Sequence, residues 1–224
     1  AASIFFEHRE LLQRCRQEGV DRAFSPLIGN GVPSQGATLE MPPGLDAEMD
    51  ELALLTDMAK GDPSLEVERA ARIQSMLERL PVDRYLAFRG LLLGSLGNAY
   101  YNMPSGDRTA NLEQAIACYQ GALHIHTAEA SPSHYAGLQH CLGMAYDALP
   151  DGDLIANKER AIACYEEALR FRSPETVPLD YAWTHHNLGH IYAHLPEGAL
   201  EEERGANMQR AIARQAEAER DRRA

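Results

Sequence analysis

Apolar residues recur three and four positions apart in successive stretches of the chain, and turns bearing proline and glycine separate those stretches. Leu138, Leu142, Ala145 and Leu149 form one such stripe. Residues 85–102 and 179–195 carry the same spacing, so 85–102, 133–149 and 179–195 each predict a helix with one apolar face. The stripes stop at Met103-Pro104-Ser105-Gly106-Asp107, Leu149-Pro150-Asp151-Gly152-Asp153 and Leu195-Pro196-Glu197-Gly198. Proline cannot continue a helix, and glycine frees the turn. Asn111, Asn157 and Asn207 follow, close to the start of a second helix whose first N–H groups a short polar side chain can satisfy. The pattern predicts helical hairpins.

The hairpins repeat. Leu96-Gly97-Asn98-Ala99-Tyr100 returns as Leu142-Gly143-Met144-Ala145-Tyr146 and as Leu188-Gly189-His190-Ile191-Tyr192, each 46 residues after the last. Ala115-Ile116-Ala117-Cys118-Tyr119 returns 46 residues later as Ala161-Ile162-Ala163-Cys164-Tyr165, and Ala211-Ile212-Ala213 follows after 50. A unit of this period cannot bury its apolar face alone and must stack on its neighbours.

These residues resemble the tetratricopeptide repeat (TPR), in which Leu-Gly-x-x-Tyr on one helix precedes Ala-x-x-x-(Phe/Tyr)-x-x-Ala on the next. Leu96-Gly97…Tyr100 with Ala115…Tyr119…Ala122, and Leu142-Gly143…Tyr146 with Ala161…Tyr165…Ala168, supply both halves twice. The resemblance covers residues 85 to about 218. It departs from the family in length, since a TPR unit runs about 34 residues, and the extra residues fall in both connections. Long units with Leu-Pro-x-Gly-Asp turns and Asn-Leu-Glu-x-Ala-Ile helix starts look like those of bacterial signalling proteins, where such arrays accompany CHAT-type peptidase or nucleotide-switch modules. The fold implied is all-α: a right-handed α-α superhelix, a TPR-like solenoid of antiparallel helical hairpins. Gly and Ala would let paired helices approach, with Tyr and Leu filling the gaps.

Three regions are expected. Residues 1–44 hold an amphipathic helix at 4–18 and a Gly/Pro-rich linker from 24. Residues 45–84 form a degenerate hairpin with helices at 45–58 and 64–80, where Glu68-Arg69-Ala70-Ala71 echoes Glu159-Arg160-Ala161-Ile162. Residues 85–224 hold three elongated repeats, 85–131, 132–177 and 178–224, the last ending in a polar helix where Arg214-Gln215 replaces Cys-Tyr.

The resemblance implies that the first helix of each unit lines a concave groove, at fixed offsets from the glycine. Carried onto this chain, the candidate partner-binding residues are Asn98, Tyr101, Asn102, His140, Met144, Asp147, Trp183, His186, His190 and His194, with Gly94, Ala148, Ala193 and Leu91 between them. The expected function is a protein–protein interaction scaffold that takes a peptide or protein in this groove, without catalysis of its own. A regulatory array controlling an effector such as a CHAT-type peptidase is the alternative.

Charge and composition narrow the partner. A net charge of −12 argues against nucleic acid and anionic membrane, both of which need a basic face. None of the groove positions holds Lys or Arg, so the family's clamp for terminal carboxylates is not expected. No apolar run reaches the ~18 residues of a membrane span. No charged-then-apolar leader opens the sequence and the four cysteines form no CxxC pair, so reduced thiols and a cytoplasmic protein are expected.

The sharpest chemical signal is histidine. His186, His190 and His194 lie four apart on one stripe, and such a pair can chelate a metal. A metal-sensing protein would need further ligands, for which His140 is the candidate; the preferred reading is a polar stripe facing a peptide, with no metal and no cofactor. His124 and His126 read as a solvated helix end, and Asp107 and Asp153 as turn residues. There is no G-x-S-x-G, phosphate loop or H-E-x-x-H, and Cys118 and Cys164 sit mid-helix without a histidine partner.

Overall fold

Where the apolar stripes meet proline and glycine, the helices stop. The computed structural model describes residue 42 and residues 44–81 and 84–195, the side chain of Asp46 aside. The helix expected at 4–18, nearly all of the linker and the second helix of the third unit with its polar end lie outside these residues. The described chain is all-helical: seven α-helices, one 3₁₀ turn and no strand. They are α1 (Asp46–Ala59), the 3₁₀ turn Pro63–Leu65, α2 (Glu66–Arg79), α3 (Leu86–Asn102), α4 (Arg108–Leu123), α5 (Pro132–Ala148), α6 (Leu154–Leu169) and α7 (Pro178–His194). The first helices α3, α5 and α7 have 17 residues each and start 46 apart, and α4 and α6 have 16 each at the same spacing.

The turn chemistry sets those boundaries. Gly106 and Gly152 take φ values of +87° and +85°, which only glycine adopts without strain. Asp107 and Asp153 then cap α4 and α6, each carboxylate accepting from two backbone N–H groups: Thr109 and Ala110, then Ile155 and Ala156. Asn111 and Asn157 are not the caps; their amides reach back to the carbonyls of Ser105 (2.8 Å) and Asp151 (3.1 Å) and brace the turn. Pro132 and Pro178 open α5 and α7 at a position whose N–H has no helical partner to lose.

Each helix packs chiefly on its neighbours in sequence, and α5 also touches α3 and α7. The buried apolar residues accordingly fall into three clusters strung along the chain, around Ile73 and Phe88, around Tyr119 and Leu138, and around Tyr165 and Ile191. Within a unit the glycine admits a tyrosine. A Cβ on Gly97 would stand 2.5 Å from Cε1 of Tyr119, and one on Gly143 would stand 2.8 Å from Cε1 of Tyr165.

A second series fixes the register between units. Gln74 donates to the phenol of Tyr100 (2.7 Å), Gln120 to that of Tyr146 (3.1 Å), and the phenol of Tyr192 to Glu166 (3.3 Å). Both members advance by 46 residues at each step, so α2 stands where a second helix one unit earlier would stand. The register corrects the faint sequence echo by one residue: Ala70 answers Ile162, not Ala161. Arg69 then occupies the place of Ala115 and Ala161, which is why the repeat is hard to see upstream.

Candidate functional site

Between α3, α5 and α7 lies an open cleft of about 490 Å³. Six of the expected groove residues line it: Asn98 and Tyr101 from α3, His140, Met144 and Asp147 from α5, and Trp183 from α7. The expected offsets from the glycine fall on this face because each first helix turns the same positions toward its neighbours. Gly137 holds the place of Trp183 one unit earlier and lines the same cleft. The phenol of Tyr119 donates to Asn98 Oδ1 (2.8 Å) and so orients that amide. Lys158 binds both the carboxylate and the carbonyl of Asp147, which neutralises that charge.

The other four expected residues do not line the cleft. Asn102 is exposed and points its amide to Glu66 Oε1 at 3.5 Å. His186, His190 and His194 are exposed along α7; the His186 ring meets Trp183 edge-on at 5.9 Å, and the rings of His190 and His194 are 4.3 Å apart. His140 does not join that stripe, since its Nδ1 lies 3.0 Å from Thr184 Oγ1 and its ring packs 5.4 Å from Tyr165. Among the described residues no group of three His, Cys, Asp or Glu side chains is placed to hold a metal ion.

Thr184, fully buried, is the hub of the cleft wall. Its Oγ1 is 2.7 Å from the carbonyl of Asp180 and 2.7 Å from Arg172 Nη1. Two oxygens that close need a proton between them, and a carbonyl has none to give, so the hydroxyl donates there and accepts from Arg172. Its second lone pair then takes the His140 proton, which fixes His140 as the neutral Nδ1–H tautomer. Burial, with the Arg172 charge beside it, pushes the His140 pKa down to about 3.

Arg172 adds a cation that the groove positions on the first helices do not carry. It is 8% exposed, lines the cleft, and comes from the connection between α6 and α7, not from a first helix. Asp180, Asn187, Cys141 and Tyr165 were also missed. A signal for Arg172 and Asp180 existed at the 46-residue spacing: Leu80, His126 and Arg172 form one ladder, and Phe88, His134 and Asp180 another. His126 is correspondingly not part of a solvated helix end. It is 3% exposed, its ring covers Gly90 and lies 5.0 Å from the ring of His134, and burial lowers its pKa to about 4. His124 is exposed.

Comparison of the chain with protein-family models, with curated proteins and with solved structures finds no match. Cys118, Cys141 and Cys164 are free thiols, each pushed up to about 11 by burial, which keeps them protonated and weakly nucleophilic at neutral pH. No helix among the described residues is long and apolar enough to cross a membrane.

Proposed function

We propose that the protein is a protein–protein interaction scaffold, a TPR-like solenoid that receives a peptide or protein partner in the cleft between its first helices. The observation that carries this reading is the exposure of Trp183, at 61%, on the rim of a cleft walled by three successive first helices. Tryptophan anchors are enriched among residues that dominate binding energy, and an exposed one is costly to keep in water. Met144 and Tyr101 extend the apolar surface, and oriented amides such as Asn98 supply polar contacts. A rigid stack presents these groups preorganised, so a partner loses little entropy on docking. The sequential packing and the string of separate clusters support a solenoid, and a right-handed superhelix is the geometry proposed for it.

The test is capture of partners from a lysate of the source organism by wild-type protein and by a Trp183→Ala/Met144→Ala variant, with Glu113→Ala on the exposed face of α4 as control. Specific bands retained by wild type and control and lost by the cleft variant are expected. Equal recovery on all three baits would move the binding face elsewhere.

A further inference from the structure

Two arginines are buried in the described chain, and their situations differ. Arg69 lies 2.6 Å from the carboxylate of Glu66. Arg172 forms no ion pair among the described residues, and its two hydrogen bonds, to Thr184 Oγ1 (2.7 Å) and the Asp180 carbonyl (3.4 Å), both leave from Nη1. The guanidinium carries five N–H donors, so the edge formed by Nε and Nη2 has no acceptor among the described residues. That edge presents two parallel N–H groups, the fork that matches a carboxylate. Burial lowers the Arg172 pKa, and the Asp180 carboxylate opposes that shift through space without forming an ion pair with the guanidinium. A buried charge of this kind is costly unless something pairs with it.

The other charges of the cleft do not fill that role. Asp147 is held by Lys158. Asp180 sits in the first turn of α7, where the helix N-terminus already favours a carboxylate. Beside Arg172 the cleft is lined by Gly137 and offers flat apolar surface from Trp183 and Met144. A volume of about 490 Å³ accommodates one small molecule.

We propose that the cleft binds a small organic carboxylic acid of amino-acid size, its carboxylate forked by Arg172 and its apolar end against Trp183. This goes beyond the scaffold reading, and it holds whether or not a protein also docks there. Thr184 and His140 are positioning residues for the guanidinium. The Nδ1–H tautomer of His140 leaves the Thr184 hydroxyl an acceptor for Arg172.

Trp183 is the single tryptophan of the chain, so its fluorescence reports on the cleft directly. The full chain is titrated with N-acetyl amino acids as free acids and as primary amides, with calorimetry in parallel. One or more acids with apolar or aromatic side chains are expected to bind, with amides weaker by roughly tenfold or more, the loss of a charge-assisted pair. Arg172→Gln should bring the acid down to the amide. Arg172→Met, which keeps the volume without the charge, repeats the test if the glutamine variant does not fold. Acids binding no better than amides, no acid binding at all, or full acid affinity in a folded Arg172 variant would overturn the proposal. Tetrapeptide acids binding more tightly than every acetylated amino acid would overturn it too, by assigning the site to a polypeptide terminus. The scaffold reading fails separately, through equal partner capture by the Trp183 variant.

Discussion

Where α4 meets α3 and α5, the buried register holds Leu112, Ala115, Tyr119 and Ala122; where α2 meets α1 and α3, the same register holds Glu66, Arg69, Ile73 and Met76. Both junctions keep the amide-to-phenol bond to the next first helix, Gln120 to Tyr146 and Gln74 to Tyr100. They fill the space beneath it with opposite chemistry. In the regular unit, small alanines and a glycine admit a tyrosine ring. In the upstream unit an ion pair occupies that volume, Glu66 and Arg69 each only 4% exposed. The helix arrangement thus tolerates exchange of its packing residues, and at this junction the charge enters as a pair.

The largest effect should come from breaking that pair. Burial raises the Glu66 pKa and lowers that of Arg69 despite their mutual attraction, so desolvation outweighs the partner on both sides. Glu66→Leu, which copies Leu112, strands the arginine and should cost about 3–5 kcal/mol. Glu66→Leu/Arg69→Ala, which copies both Leu112 and Ala115, should return to wild-type stability or exceed it. Urea denaturation measures both. A double variant as weak as the single one would show that the two junctions are not interchangeable.

The regular unit should fail differently, by overpacking. Gly97→Ala places a methyl group 2.5 Å from the Tyr119 ring and should lose about 1–3 kcal/mol. Gly121→Ala on α4 meets only Leu93 Cδ1 at 3.5 Å and should gain about 0.5–1 kcal/mol from reduced backbone freedom in the unfolded chain. If both glycines respond alike to thermal denaturation, the close tyrosine contact is not what fixes Gly97.

Much of this was legible in the sequence for a physical reason. A strict 46-residue repeat of glycine, tyrosine and alanine reports close helix packing and marks the first helices, and the offsets from its glycine that the tetratricopeptide resemblance implies name six of the cleft residues. Side chains outside the motif were harder. Arg172 sits in a connection, where the helical period gives no direction, and only the ladder Leu80, His126, Arg172 marks the position as structural. Asp107 and Asp153 looked like turn residues because a cap and a turn draw on the same side chains. The family offset from Gly97 points to Asn102 as a groove residue, whereas Glu66 upstream draws its amide away.

That ladder also separates the units by pH. Leu80 cannot titrate, whereas His126, at the same place, is held neutral with a pKa near 4. Above pH ~6.5, the free imidazole value, both folded and unfolded chains carry it neutral and its burial contributes fully. As pH falls from there toward 4, the unfolded chain takes up a proton that the folded chain refuses, so stability drops by up to about 1.4 kcal/mol per pH unit. His126→Leu, which copies Leu80, should remove its share of that slope from the pH profile of Tm, leaving the comparable one of His140, whose pKa burial pushes down to about 3. An unchanged slope would mean that His126 charges in place.

The smallest effect distinguishes the two kinds of helix start. Asp107 and Asp153 each satisfy two N–H groups at the head of a second helix, so Asp107→Ala and Asp153→Ala should each cost about 1 kcal/mol. Ser131, the residue before α5, makes no side-chain cap bond, and proline already occupies the next position. Ser131→Ala, which removes only a long 3.5 Å contact to His126 Nδ1, should therefore cost less than either aspartate variant. Hydrogen exchange localises the difference: the amides of Thr109 and Ala110 should exchange faster in Asp107→Ala alone. Equal losses for Asp107→Ala and Ser131→Ala would mean that the aspartate acts through the turn, where Thr109 Oγ1 also reaches Asp151 of the next unit at 2.5 Å, and not through the helix it heads.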